Sequence, residues 1–189
     1  AMAMGVQSYA KGQNSYTLGT DSHSNGENAF ASGTRAEALG FNAVAMGTDA
    51  TAEGRNVIAF GTGARAFGYN TNVIAIGTKA FADGSGVMAI GERANAQSVY
   101  SIAVGFNAHA TARNAVSIGP ASMATAERSM AIGGEANAYH YGATALGFNA
   151  RTTKDHEVAL GSSKSPYSLP ASARLAGIDA IRGVPSRGC

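Results

Sequence analysis

Four histidines, twelve carboxylates and one cysteine are the groups in this 189-residue chain that could bind a metal or carry out acid–base chemistry. A zinc site needs three or four such side chains converging at about 2.0–2.3 Å from one point. His23 and His109 stand 86 residues apart, which the repeat described below converts to about 29 Å. His140 and His156 fall at turn positions, and Cys189 is the last residue. A lone cysteine forms no internal disulfide and no thiolate metal site. The acids are scattered, without the facing pair that glycoside hydrolysis requires. Glycine spacings of the phosphate-binding, dinucleotide-binding or serine-nucleophile kind have no strand–turn–helix context here. The Gly-Gly-x-Gly-x-Asp calcium loop is missing, and the period of six that marks hexapeptide acyltransferases does not divide the period found. We therefore assign no catalytic residue, no metal ligand and no cofactor, and expect a protein that is not an enzyme.

The elements that would have to position any chemistry are set by a repeat. Glycines fall at 5, 19, 33, 47 and 61, each 14 apart; after one step of 16 they resume at 77, 91, 105, 119, 133, 147 and 161. The two extra residues sit in Gly68-Tyr69-Asn70-Thr71-Asn72, a turn by composition. One and three residues before each glycine the side chain is large and apolar, with Ser32 and Thr144 the exceptions. Between those two columns runs alanine, apart from Thr17 and Ser117. Three and five after the glycine stand small residues again, as at Ala36 and Ala38, or Ala108 and Ala110. The alternation reads as strand in both halves of the period, with Asp21, Arg35, Glu37, Asp49, Glu53, Lys79, Asp83, Arg93, Asn137 and Arg151 pointing outward from the second half. Asn14, Asn28, Asn42, Asn56, Asn72 and Asn114, five before the glycine, suit a left-handed corner. Tyr100, Arg128 and His156 break that pattern, and the landmark glycine itself is expected at the opposite corner.

Composition agrees with a thin object. There are 25 glycines and 39 alanines, no tryptophan, and 14% charged residues against about 25% in ordinary domains. A hydrophobic fraction of 45% speaks against disorder. A net charge of +2 gives no strong pull on nucleic acid or anionic membrane. No apolar run approaches the length of a bilayer span, and AMAMGVQ lacks the regions of a signal peptide.

Two short strands and two turns per period imply an all-β parallel roll of about eleven 14-residue coils, some 50 Å long at about 4.8 Å per coil. Fourteen residues enclose little area, so the alanines are expected inside and the large residues outside. The reverse arrangement, a Val/Ile core within one chain, would leave a purposeless alanine face. The outward columns hold Val44, Met46, Ile58, Phe60, Ile74, Ile76, Met88, Ile90, Ile102, Val104, Val116, Ile118, Met130, Ile132, Val158 and Leu160. A stripe of that size exceeds what soluble monomers expose, so further copies of the chain are expected to cover it, most simply in closed symmetry. Outward aromatics are the candidates for contact with a protein ligand: Tyr9, Phe67, Phe81 and Tyr139, with Phe41, Phe106 and Phe148 at turns. A column of Thr20, Thr34, Thr48, Thr62 and Thr78 is too narrow for an ice-binding face and reads as a corner preference.

The segments NAVAMGTDA (42–50), NVIAFGTGA (56–64), NVIAIGTKA (72–80) and NAVSIGPAS (114–122) resemble the head repeats of trimeric autotransporter adhesins, the YadA-like heads of Gram-negative bacteria. The resemblance covers about residues 1–161. It implies a left-handed roll, a homotrimer, and display on the outer surface through a stalk and outer-membrane anchor, with no direct membrane insertion of this part. Positions matching Val116 and Ile118 would face the trimer centre, those matching Ser117 and Ser122 would fill the roll, and those matching Asn114 and Gly119 would make turns. It implies attachment to host matrix proteins or cell-surface receptors; the other reading is a spacer or protective fibre that presents a different binding module. Residues 162–189 form a separate tail. Leu175, Ile178 and Ile181 allow a short amphipathic helix before Pro185, either the start of a neck or a segment added to the natural chain.

Overall fold

The structure is a computed structural model; it describes residues 1–68 and 72–162 and the backbone of 165 and 166. The helix expected around Leu175–Ile181 and the middle of the 68–72 turn lie outside the described residues.

Twelve parallel strands, from Met2–Met4 to Val158–Ser162, form one sheet; ten strands of two to four residues, from Tyr9–Ala10 to Asn137–Ala138, form the other. A bridge from Asn137 to Arg151 adds one more coil to the second sheet. Each strand pairs with its equivalent one coil on: Val44 with Ile58, Met46 with Phe60, Ile102 with Val116. The step changes to 16 where Ile58 pairs with Ile74 and Arg65 with Phe81, so the insertion leaves both ladders in register. After the last parallel strand the chain reverses, pairing Gly161 with Pro166 and Ser162 with Ser165 antiparallel.

The interior is made of small side chains only. Ala31, Ala45, Ala59, Ala75, Ala89 and Ala103 of the first sheet meet Ala38, Ala52, Ala66, Ala82, Ala96 and Ala110 of the second, all fully buried. A further inward column, four residues before each landmark glycine, escaped the sequence reading. It holds Ala29, Ala43, Ala115 and Ala143, and also Val57, Val73 and Val87, which are the largest fully buried side chains. Buried serines stay satisfied locally. Ser22, Ser101, Ser122 and Ser129 each donate to the carbonyl three residues back at 2.6–2.9 Å, so a hydroxyl enters this dry layer without losing a partner.

The second-half strands are shorter than strict alternation suggested. Asp21, Arg35, Asp49, Lys79 and Arg93 are corner residues with φ of 53–58°, not outward strand positions. Closure of a 14-residue coil forces that conformation, and hydrogen bonds between coils hold it: Arg35 N–H donates to the carbonyl of Thr20 at 2.9 Å, and Asp49 N–H to that of Thr34 at 2.9 Å. The next corner is left-handed too, at Asn14, Asn28, Asn42, Asn56 and Asn114, and equally at Tyr100, Arg128 and His156 (φ 57–60°).

Candidate functional site

With no side chain larger than valine inside, every large residue has to point outward, and the two sheets present two unlike faces.

The aliphatic face belongs to the twelve-stranded sheet. Register stacks Ile58 on Ile74 and Met88 on Ile102 in one column, and Phe60, Ile76, Ile90, Val104 and Ile118 in the other. Val44, Met46, Val116 and Ile132 are half-buried by their neighbours along the column, as are Ile74, Ile76, Met88, Ile90, Ile102 and Val104. Ile58, Phe60, Ile118, Met130, Val158 and Leu160 are more open, with Val158 64% exposed. None of these sixteen side chains enters the roll.

Beside this face runs the asparagine corner. Asn14 Nδ2 donates to Asn28 Oδ1 at 3.3 Å, Asn28 to Asn42 at 3.1 Å, and Asn42 to Asn56 at 2.9 Å. One side chain donates and accepts in turn, so each corner is tied to the next by its amide.

The face of the shorter strands is polar with isolated aromatic groups. Tyr9 packs on His23 with ring centres 4.1 Å apart, and Lys11 Nζ lies 4.9 Å from the tyrosine centroid. Phe67 and Phe81 are 6.0 Å apart under the guanidinium of Arg65, beside Glu53 and Asp83, around a depression of about 460 Å³. Tyr139 donates to Asn137 Oδ1 at 2.8 Å, and Arg151 covers its ring at 5.4 Å. Tyr9 is the most open of the four and the other three are half-buried. At the adjacent corner Arg35 grips Asp49 through two bonds of 2.6 and 2.8 Å, which hold the carboxyl below its ordinary range, the hydrogen bond first and the charge second. Both side chains are about half exposed to solvent.

The histidines remain apart. His23 stands 3.9 Å from Glu37, burial pushes the His109 imidazole below its ordinary value, His140 Nδ1 lies 3.0 Å from Thr152 Oγ1, and His156 sits edge-on to Tyr141. Among the described residues no three His, Cys, Asp or Glu side chains cluster so as to hold a metal.

Comparison with known families addresses the repeat itself. The profile of the YadA head domain repeat, two copies per match, fits residues 1–15, 10–36, 38–64, 74–94, 83–108, 96–122, 110–136 and 124–150. The chain belongs to the YadA head family. The matched segments skip 65–73, where the period lengthens to 16. No curated protein sequence matches the chain. A crystal structure titled the collagen-binding domain of the Yersinia adhesin YadA is similar at 22% identity, over 92% of this chain and 80% of that one, with a TM-score of 0.40. That likeness is too loose to carry an argument about fold or ligand.

In this YadA head the glycines missed by the sequence reading lie seven after the landmark, at Gly12, Gly26, Gly40, Gly54 and Gly68. A β-carbon on Gly40 would stand 1.7 Å from the carbonyl oxygen of Gly54, so the backbones of successive coils touch there. Their spacing of 14 was visible; their reason was not, because close backbone approach leaves no chemical mark on neighbouring residues. Tyr9, Phe67, Phe81 and Tyr139 do not converge on one site. Tyr9 with His23, and Phe67 with Phe81, each pair 14 residues apart, form separate clusters along the rod.

Proposed function

We propose that this chain is the non-enzymatic head of a homotrimeric bacterial surface adhesin that attaches to host matrix proteins or host cell-surface receptors, displayed outside the cell and anchored in the outer membrane through a region beyond this sequence. The observation that carries the assembly is the aliphatic face: two columns of large apolar side chains outside a roll whose interior admits nothing bigger than valine. Even at about 1 kcal/mol for each half-exposed side chain covered, the columns of three chains outweigh two association costs of roughly 4–15 kcal/mol each. The proposed interface is the double column from Val44 and Met46 to Val158 and Leu160.

Adhesion belongs to the other face. Its aromatic groups at Tyr9, Phe67, Phe81 and Tyr139 are spread along the rod, and three copies multiply them. Contacts that are weak singly gain by simultaneous engagement, so recognition is distributed.

The test is a binding screen of the purified protein against collagen, other matrix proteins and host cells, beside a rod whose outward polar-face residues are permuted. Binding by the native rod that the permuted one loses is the expected result. Alanine at any one of the four aromatics lowers binding only a few-fold. Binding that survives permutation, or its complete loss on a single alanine substitution, contradicts the distributed reading.

A further inference from the structure

The two edges of the aliphatic sheet change character together along the rod. In the N-terminal coils one edge, just after the landmark glycine, carries Val6 and then Thr20, Thr34, Thr48 and Thr62, and the other carries the hydrogen-bonded asparagines 14 to 56. In the C-terminal coils the first edge becomes Phe106, Pro120 and Phe148, with the phenylalanines 52% and 58% exposed. Gly134 completes that column and leaves room for the Phe148 ring, which a β-carbon would approach at 3.4 Å. Over the same coils the opposite edge carries Val99 and Tyr100, then Arg113, Asn114, Glu127 and Arg128, then Tyr141; Val99, Tyr100 and Tyr141 are 37%, 58% and 36% exposed. Tyr141 is partly covered by Arg128 and His156 of its own chain, which leaves Tyr100, Phe106 and Phe148 as the most open of these groups.

Copies arranged around an axis parallel to the rod keep each coil at one height and bring one edge of a chain against the opposite edge of the next, a heterologous contact that closes into a ring. Val99 and Phe106 bracket one strand, Ile102–Val104, and Tyr141 and Phe148 bracket another, Thr144–Leu146. The apolar residues of the two edges therefore fall at matching heights.

We infer that neighbouring copies clasp edge to edge in the C-terminal coils, the Phe106–Pro120–Phe148 edge of one chain packing on the Val99–Tyr100–Tyr141 edge of the next. This rests on the homotrimeric reading above and adds to it a second contact surface with a direction around the ring. The coils from Thr20 to Thr62, edged by threonine and asparagine, associate through the aliphatic face alone.

The test uses the full chain carrying Cys189→Ser. Val99→Cys with Phe106→Cys, and separately Tyr141→Cys with Phe148→Cys, place two thiols about 15–20 Å apart within one chain, too far for an internal disulfide. Mild oxidation is expected to give a covalent closed trimer on non-reducing gels, while Phe106→Cys alone gives no covalent dimer. Phe106→Asp with Phe148→Asp is expected to raise the concentration of half-dissociation at least tenfold over Thr34→Asp with Thr48→Asp, circular dichroism showing both folded. A trimer that fails to cross-link, equal effects of the two aspartate pairs, or a dimer from the single cysteine overturns the clasp and leaves the trimer standing. A monomeric parent protein overturns both.

Discussion

The ring of Tyr100 lies across Gly86 of the preceding coil, so that a β-carbon on the glycine would come within 2.7 Å of the ring's Cδ1. Both residues occupy the left-handed corner, at φ of 60° and 67°. His156 repeats the arrangement over Gly142, with Nδ1 at 2.9 Å from the missing β-carbon. At two of the three breaks in the asparagine column, Tyr100 and His156, a ring on one coil is thus matched by a glycine on the coil before.

That pairing predicts coupled substitutions. Gly86→Asn alone collides with the ring and costs about 2 kcal/mol. Combined with Tyr100→Asn, it rebuilds an asparagine pair, and the double variant recovers at least about 1 kcal/mol relative to the sum of the singles. Urea unfolding of the four proteins measures the coupling; strict additivity contradicts it.

Close backbone contact separates two glycines that look alike in sequence. Gly40→Ala places a methyl group 1.7 Å from the Gly54 carbonyl oxygen, whereas Gly134→Ala meets nothing nearer than the Phe148 ring at 3.4 Å. Thermal unfolding should show a loss of about 3 kcal/mol or more for the first and under about 1 kcal/mol for the second.

The interior tolerates loss of a hydroxyl better than gain of volume. Ser117 and Ser122 share a 2.6 Å hydrogen bond across the roll, and Ser122 also lies 2.9 Å from the Gly119 carbonyl. Replacing both with alanine reproduces the other coils and should cost less than about 1 kcal/mol. Ala103→Leu forces a large side chain into the same layer and should cost about 3 kcal/mol. Chemical denaturation ranks them; the reverse order would contradict an interior limited by volume.

How much of this was legible follows from the kind of force involved. The landmark glycines and alanine columns were plain because a thin interior restricts side-chain type at every coil. The corner at Arg35, Lys79 and Ala121 was not, since no residue type marks it. There the left-handed conformation, worth about 1 kcal/mol against an ordinary residue, is imposed by coil closure and by hydrogen bonds such as Lys79 N–H to the Thr62 carbonyl at 2.8 Å. Likewise the outward aromatics could be named from alternation. Their partners, such as Arg65 over Phe67 and Arg151 over Tyr139, depend on which way long side chains lie along the rod.

The Arg35–Asp49 pair gives a pH signature. Because Asp49 titrates below its ordinary value in the folded chain, the pair's contribution is full above the ordinary aspartate range and is lost as pH falls through the folded value. Carboxyl chemical shifts followed by NMR should show the low value, and Arg35→Ala should raise it to the ordinary range. Both groups are exposed, so added salt weakens the effect, and protonating Asp49 leaves the rod folded. An unchanged Asp49 titration in the variant would contradict the geometry.

Sedimentation equilibrium of the purified protein at micromolar concentration is the most direct measurement of the whole account. A mass of three chains, reduced to one chain by Ile90→Asp, which sets like charges together in an apolar contact, is the predicted result. A well-folded single chain, with its isoleucine and valine columns open to water, would contradict it.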